Sequence, residues 1–143
     1  MIFLDEFHQM LLKDLKHKIY HKKMQELKKR IQEEIPEFDK KYQFADESET
    51  KQIQNCIQKF VTSEKSPVSV VPEWNPVYLC FLCGENFLLD IFIKGNISDF
   101  MQDYDEFDFF SPYLLILNQK FSEAIYMDDN KNLKHIRKDS DYV

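Results

Sequence analysis

Glycine is nearly absent: only Gly84 and Gly95 occur in 143 residues. With so little glycine there is no G-x-x-x-x-G-K-[ST], G-x-G-x-x-G or G-x-S-x-G, so a phosphate-cradling loop and a nucleophile elbow are both excluded. Cysteine is sparse and odd in number, Cys56, Cys80 and Cys83, which is no disulfide scaffold and suits a reducing compartment. No apolar run approaches the roughly eighteen residues of a membrane span. The first residues, M-I-F-L-D-E-F, carry Asp5 and Glu6 where a secretory signal would be basic, so a cytoplasmic protein is expected. Excess positive charge is also lacking. The net charge of −6 repels nucleic acid and anionic membranes at long range and favours basic partners.

What is abundant is aromatic and acidic. Thirteen phenylalanines and 43% hydrophobic residues place the chain far from disordered composition. The length suits a single domain spanning 1–143 with a real core. Charge is unevenly placed. Lys13, Lys16, Lys18, Lys22, Lys23, Lys28, Lys29 and Arg30 crowd the first segment, whereas Ile97 to Phe110, I-S-D-F-M-Q-D-Y-D-E-F-D-F-F, contains no Lys or Arg.

Phe3, Phe7, Leu11, Leu15, Ile19, Leu27 and Ile31 recur at four-residue spacing or its multiple from Ile2 to Ile35. This reads as the stripe of an amphipathic helix, stopped by Pro36 and, from its length, bent or broken near His21. Residues 36–45 form a connector whose Phe38, Tyr42 and Phe44 pack beneath the helices. Asp46 and Glu49 have capping-box spacing. Ile53, Cys56, Ile57, Phe60 and Val61 then give a buried helical face up to about Glu64. Pro67, Pro72 and Pro76 forbid a helix around Trp74.

Beyond Pro76 the pattern becomes that of strands. Val77 to Cys83 and Phe87 to Ile93 are apolar on both faces and joined by Gly84-Glu85-Asn86, as in a hairpin of central strands. Ser98 is placed to cap a short helix near 98–105. Strands follow at Tyr113 to Asn118, Glu123 to Asp128 and Leu133 to Lys138. The expected fold class is α+β: a helical half, 1–64, and a sheet half, 77–138, with N-terminal helices on one face of a mainly antiparallel sheet of about five strands.

Chemistry is hard to find. Cys80 and Cys83 have the spacing of a zinc knuckle, and a complete site would draw two ligands from His17 and His21, or from Cys56. Such a zinc-supported adaptor is the alternative reading, but in a strand two residues three apart point to opposite faces, and buried free cysteine is an ordinary small apolar residue. His17 and His21 lack the glutamate of H-E-x-x-H. No enzyme, cofactor or metal is expected on these grounds. A calcium loop is only faintly suggested by Asp103 to Asp108, which lacks the EF-hand glycine and spacing.

The acidic comb is the better candidate. Asp99, Asp103, Asp105, Glu106 and Asp108, with Asp128 and Asp129 from a later turn, resemble the spaced charges of nucleic acid and suit a basic protein surface, with Tyr104 and Phe107 as aromatic anchors. The alternative is a solvated helix over a Phe-rich core.

In size, acidity, helical N-terminal half and the strand run Y-L-L-I-L-N-Q-K-F-S-E-A-I-Y-M-D-D-N from Tyr113 to Asn130, the chain resembles the small acidic immunity proteins that bacteria encode beside polymorphic and contact-dependent growth-inhibition toxins. That resemblance implies a cytoplasmic protein that binds a cognate toxin domain, often a nuclease, and blocks it by electrostatic complementarity, without touching nucleic acid or membrane. No individual residue is carried over from the family.

Overall fold

The computed structural model describes residues 6–83, 86–110, 113–128 and 130–137, with side chains for 18, 21–82, 91–110, 113–128 and 130–137. The elements are α1 (Glu6–Glu34), α2 (Phe38–Lys41), β1 (Gln43–Phe44), α3 (Glu47–Thr62), β2 (Ser66–Pro67), β3 (Val77–Cys83), β4 (Asn86–Gly95), α4 (Ile97–Gln102), α5 (Tyr104–Asp108), β5 (Tyr113–Asn118), β6 (Glu123–Met127) and β7 (Leu133–Arg137). The fold is α+β. Seven strands form one antiparallel sheet in the order β1-β4-β3-β5-β6-β7-β2. Five correspond to the strands expected from the sequence. The other two, β1 and β2, are two-residue segments that cap the edges and carry no periodicity to be read.

Helices cover both faces of the sheet rather than one. Val77, Leu79 and Phe81 of β3 point into one core with Ile31 and Ile35 of α1, Phe38 of α2, Phe100 of α4 and Phe107 of α5. Tyr78, Cys80 and Leu82 point into the other, against Ile53, Cys56, Ile57, Phe60 and Val61 of α3. The cause is the alternation of side chains along a strand: when both sets are apolar, each face needs its own layer. β3 is central, as expected. β4 is not, since its outer neighbour is only β1.

α1 is one uninterrupted helix of 29 residues, without the break expected near His21. Pro36 follows its end, and Tyr42 and Phe44 return the chain to the first core. The Gly84 and Glu85 of the expected hairpin turn lie outside the described residues. Asn118 shapes the β5–β6 turn, its Oδ1 accepting from the backbone N–H groups of Ser122 and Glu123.

The capping box of α3 is present in full: Asp46 Oδ1 accepts from the Glu49 N–H at 2.7 Å, and Glu49 Oε1 accepts from the Asp46 N–H at 2.9 Å. Glu49 also ties the helix to the sheet. Its Oε2 accepts from Tyr78 Oη at 2.6 Å and pairs with Lys94 Nζ at 2.9 Å. Burial alone would raise this carboxyl; the Asp46 N–H, the Tyr78 hydroxyl and Lys94 outweigh it and hold Glu49 down to about 2.

A depressed folded-state pKa stabilises the protein above the unfolded value near 4.5 and is lost as pH falls from there toward 2. Glu49→Gln should therefore lower the denaturation midpoint at pH 7 by the equivalent of roughly 2 kcal/mol and by progressively less toward pH 2. Urea titrations of both proteins across that range check it, and a deficit independent of pH would refute the assignment.

Candidate functional site: the acidic face of α4 and α5

The acidic segment is the connection between β4 and β5. Asn96, and not Ser98, caps α4: its Oδ1 accepts from the Ser98 N–H at 2.8 Å and from the Ser98 hydroxyl at 2.7 Å. Ile97 and Phe100 anchor α4 in the core and Phe107 anchors α5. Phe100, Asp103 and Phe107 stand three and four residues apart, so one helical phase carries all three inward.

Asp103 is accordingly buried, 6% exposed. Its Oδ2 accepts from Tyr42 Oη at 2.6 Å and pairs with Lys41 Nζ, both contributed by the end of α2 and the residue after it. Its backbone carbonyl accepts the N–H groups of Glu106 and Phe107, starting α5. Tyr42 packs its ring on Phe100 at 4.7 Å and edge-on to Phe107 at 5.3 Å. Burial first, then the hydrogen bond to Asp103, pushes the Tyr42 hydroxyl pKa up, so the phenol stays a donor. This close packing requires Gly95: a Cβ there would stand 2.5 Å from Tyr42 Cδ1.

Two residues expected at a binding surface thus belong to the interior. Phe107 is 1% exposed and cannot act as an external anchor, and Asp103 is committed to Lys41 and Tyr42. The exposed carboxylates are Asp105 and Glu106, with Asp99 and Asp108 half-buried beside them. Tyr104 is half-buried too. Its hydroxyl is enclosed without a hydrogen-bond partner among the described residues, and burial, then the Asp108 carboxylate, raises its pKa.

The residue that sequence reasoning passed over is Phe109. It is 68% exposed and helps line a shallow hollow of about 290 Å³ with Glu34, Asp105 and Glu106. Arg30 lies over its ring at 5.7 Å while pairing with Glu34 at 3.2 Å. Glu34 and Arg30 come from the last turns of α1, far away in sequence, and no local signal points to them. For Phe109 the signal existed: it is two residues past Phe107 and therefore on a different side of the turn.

Asp128 does come near the comb, through the turn before β7. Lys131 of that turn pairs with Asp105 at 2.9 Å, and its ammonium sits 5.7 Å above the Tyr104 ring. Asp128 itself is occupied with the turn: Oδ1 accepts the N–H groups of Asn130 and Asn132, each at 2.9 Å. Burial pushes its carboxyl up, but those bonds, with Lys134, bring it below the usual range. Asp129 lies outside the described residues.

The cysteine positions form a different environment. Cys80 is fully buried in the α3-side core near Cys56, and burial, then Cys56, pushes its thiol well above the usual value. His21 is exposed on α1, so Cys80 and His21 are not brought together. The side chains of His17 and Cys83 lie outside those described. Among the described residues no three His, Cys, Asp or Glu side chains are placed to hold a metal ion, and no helix is long and apolar enough to cross a membrane. No protein-family model matches the chain, and no curated protein matches it in sequence.

The two classes of carboxylate should separate on mutation. Asp103→Ala leaves Lys41 and Tyr42 without their acceptor and should cost about 3 kcal/mol, and Gly95→Ala should cost about 1 to 3 kcal/mol by forcing Tyr42 off Phe100. Asp105→Asn, at an exposed pair, should stay within about 0.5 kcal/mol of the parent. Denaturant unfolding of the three variants measures this, and comparable losses for Asp103→Ala and Asp105→Asn would contradict the division.

Proposed function

We propose that this chain is an immunity-type inhibitor: a cytoplasmic binding protein, with no reaction of its own, that neutralises a cognate toxin domain by covering a basic surface on it, a nuclease being the expected partner. The observation that carries the reading is the hollow at Phe109, where one strongly exposed aromatic ring is rimmed by Glu34, Asp105 and Glu106. An aromatic anchor inside a ring of like charge is the surface form of a protein-binding hot spot, and the carboxylates steer a basic partner toward it. Asp99 and Asp108 extend the negative field, Lys131 and Arg30 offset part of it, and Asp103 with Phe107 hold the platform from beneath. The resemblance to small acidic immunity proteins supports the same reading.

A pull-down from the native cell with this chain as bait, at low and high salt, tests it. The expected result is one basic partner, toxic when expressed alone, whose capture weakens as salt rises. Replacing Asp99, Asp105, Glu106 and Asp108 by their amides should slow association at least tenfold, and Phe109→Ser should speed dissociation, in proteins that still fold. Retention of full protection by a folded variant that combines the four amides with Phe109→Ser would reduce the acidic face to a solvated surface.

A further inference from the structure

We propose that the trough between the 68–76 loop and the start of α4 binds an extended segment of a basic protein, seating an arginine side chain on Trp74 and Glu73 and an apolar neighbour of that arginine on Val70. The trough encloses about 520 Å³, a size that suits ligand recognition. Val71, Pro72 and Trp74 of the loop line it together with Ile97 and Met101 of α4. Its walls are held in place. The Trp74 carbonyl accepts the Ile97 N–H at 3.3 Å, and Val71, Trp74 and Met101 also pack against the first core.

The polar groups of the trough are short of partners. Glu73 is exposed and is the one charged residue in the lining, and no cation among the described residues pairs with it. Asn96 Oδ1 is taken by Ser98, whereas its amide N–H groups and the Asn75 side chain have no hydrogen-bond partner among the described residues. Trp74 lacks a cation in the same sense. Lys28 lies over Phe44, Arg30 over Phe109 and Lys94 over Tyr78. No described lysine or arginine lies over the indole, although that ring attracts cations best.

These features select the occupant. An arginine brings an apolar stem for Val71, Pro72 and Met101, a flat guanidinium that stacks on indole, and a fork of donors for a carboxylate. A lysine lacks the flat face. An anionic ligand would meet Glu73 and the net charge of −6. That the arginine belongs to a protein segment follows from the surface beyond Pro72. This residue also lines a second hollow, of about 240 Å³, with Val68, Val70 and Ile125. Val70 is 79% exposed, so apolar surface continues past the trough, where a free guanidine would leave it uncovered. The amides of Asn75 and Asn96 match the N–H and C=O groups of a peptide backbone. None of these residues lines the hollow at Phe109, so the two sites share nothing.

Trp74 is the single tryptophan, and its emission therefore reports on the trough. Titration of the full chain with a blocked pentapeptide, arginine at its centre, valine on either side and leucine at each end, should change that emission saturably, with a dissociation constant below about 1 mM. Citrulline, the neutral isostere, in place of the arginine should weaken binding about fivefold, and so should Glu73→Gln in the protein. Val70→Ser should weaken the peptide about threefold and leave binding of the free guanidine agmatine unchanged. Glu73 and Val70 are exposed, so both variants keep the fold, which circular dichroism verifies. Unchanged emission, or affinity indifferent to any of the three substitutions, overturns the proposal. Agmatine bound as tightly as the peptide overturns it too and assigns the trough to a free small cation. None of these outcomes depends on whether a toxin partner is found.

Discussion

The constraint from which the architecture follows is that the central strands are apolar on both faces. Leu79, Cys80 and Phe81 in β3, and Leu115, Ile116 and Leu117 in β5, are successive residues with no exposed surface, so neither face of the sheet can meet water. The chain meets this by splitting its helices. α3 takes one face, and the end of α1, α2, α4 and α5 take the other. Each layer is tied to the sheet region by a polar pin at its margin: Glu49 to Tyr78 and Lys94 on one side, Asp103 to Lys41 and Tyr42 on the other. Both pins are carboxylates that accept a tyrosine hydroxyl and a lysine ammonium, which satisfies buried donors at positions where an apolar residue would leave them orphaned.

The second pin decides what the acidic segment can do. With Asp103 turned inward, α5 starts in a fixed register, and the residues after it must alternate between core and solvent accordingly: Phe107 goes in, while Asp105, Glu106 and Phe109 go out. The acidic comb is thus a short platform, anchored from beneath, that presents two exposed carboxylates and one exposed ring. Anchoring matters for binding, because groups already fixed in place lose little entropy when a partner arrives. Partial neutralisation by Arg30 and Lys131 also matters. Both pairs are exposed, so they are weak and can exchange for a partner's charges at little cost.

Much of the fold was legible, and the reasons differ by element. The capping box at Asp46 and the i, i+3, i+4, i+7 pattern of α3 are local, so sequence spacing specifies them fully. The five long strands show in their β-branched and aromatic runs. β1 and β2 are pairs of residues recruited by the edges of a sheet already formed, which no local pattern encodes. The placement of helices on both faces was implied by strands with no polar side, but the connection was visible only once α3 and α1 were seen against opposite sets of β3 residues. At the candidate site, Asp99, Asp105, Glu106 and Asp108 were legible as a charged group. Asp103 and Phe107 lie in the interior instead, because helical phase, which charge and aromaticity alone do not reveal, turns them inward. Glu34 and Arg30 reach the hollow through tertiary packing alone.

The long first helix shows why spacing must be converted into angle before it is read as a face. A repeat of four residues advances by about 400° at 3.6 residues per turn, so each step carries the apolar row about 40° further round the helix. Across a few turns that drift is harmless, and Leu27, Ile31 and Ile35 share the side that meets the sheet. Over 29 residues it moves the row to the other side. A spacing of four over that length therefore does not define a single buried stripe. The later part of the row, Leu27, Ile31 and Ile35, belongs to the core of this domain, and the neighbouring Arg30 and Glu34 form the wall of the acidic hollow. The end of one helix thereby serves both as a layer of the core and as the wall of the hollow, and which residues it turns to each follows from the mismatch between a spacing of four and a turn of 3.6.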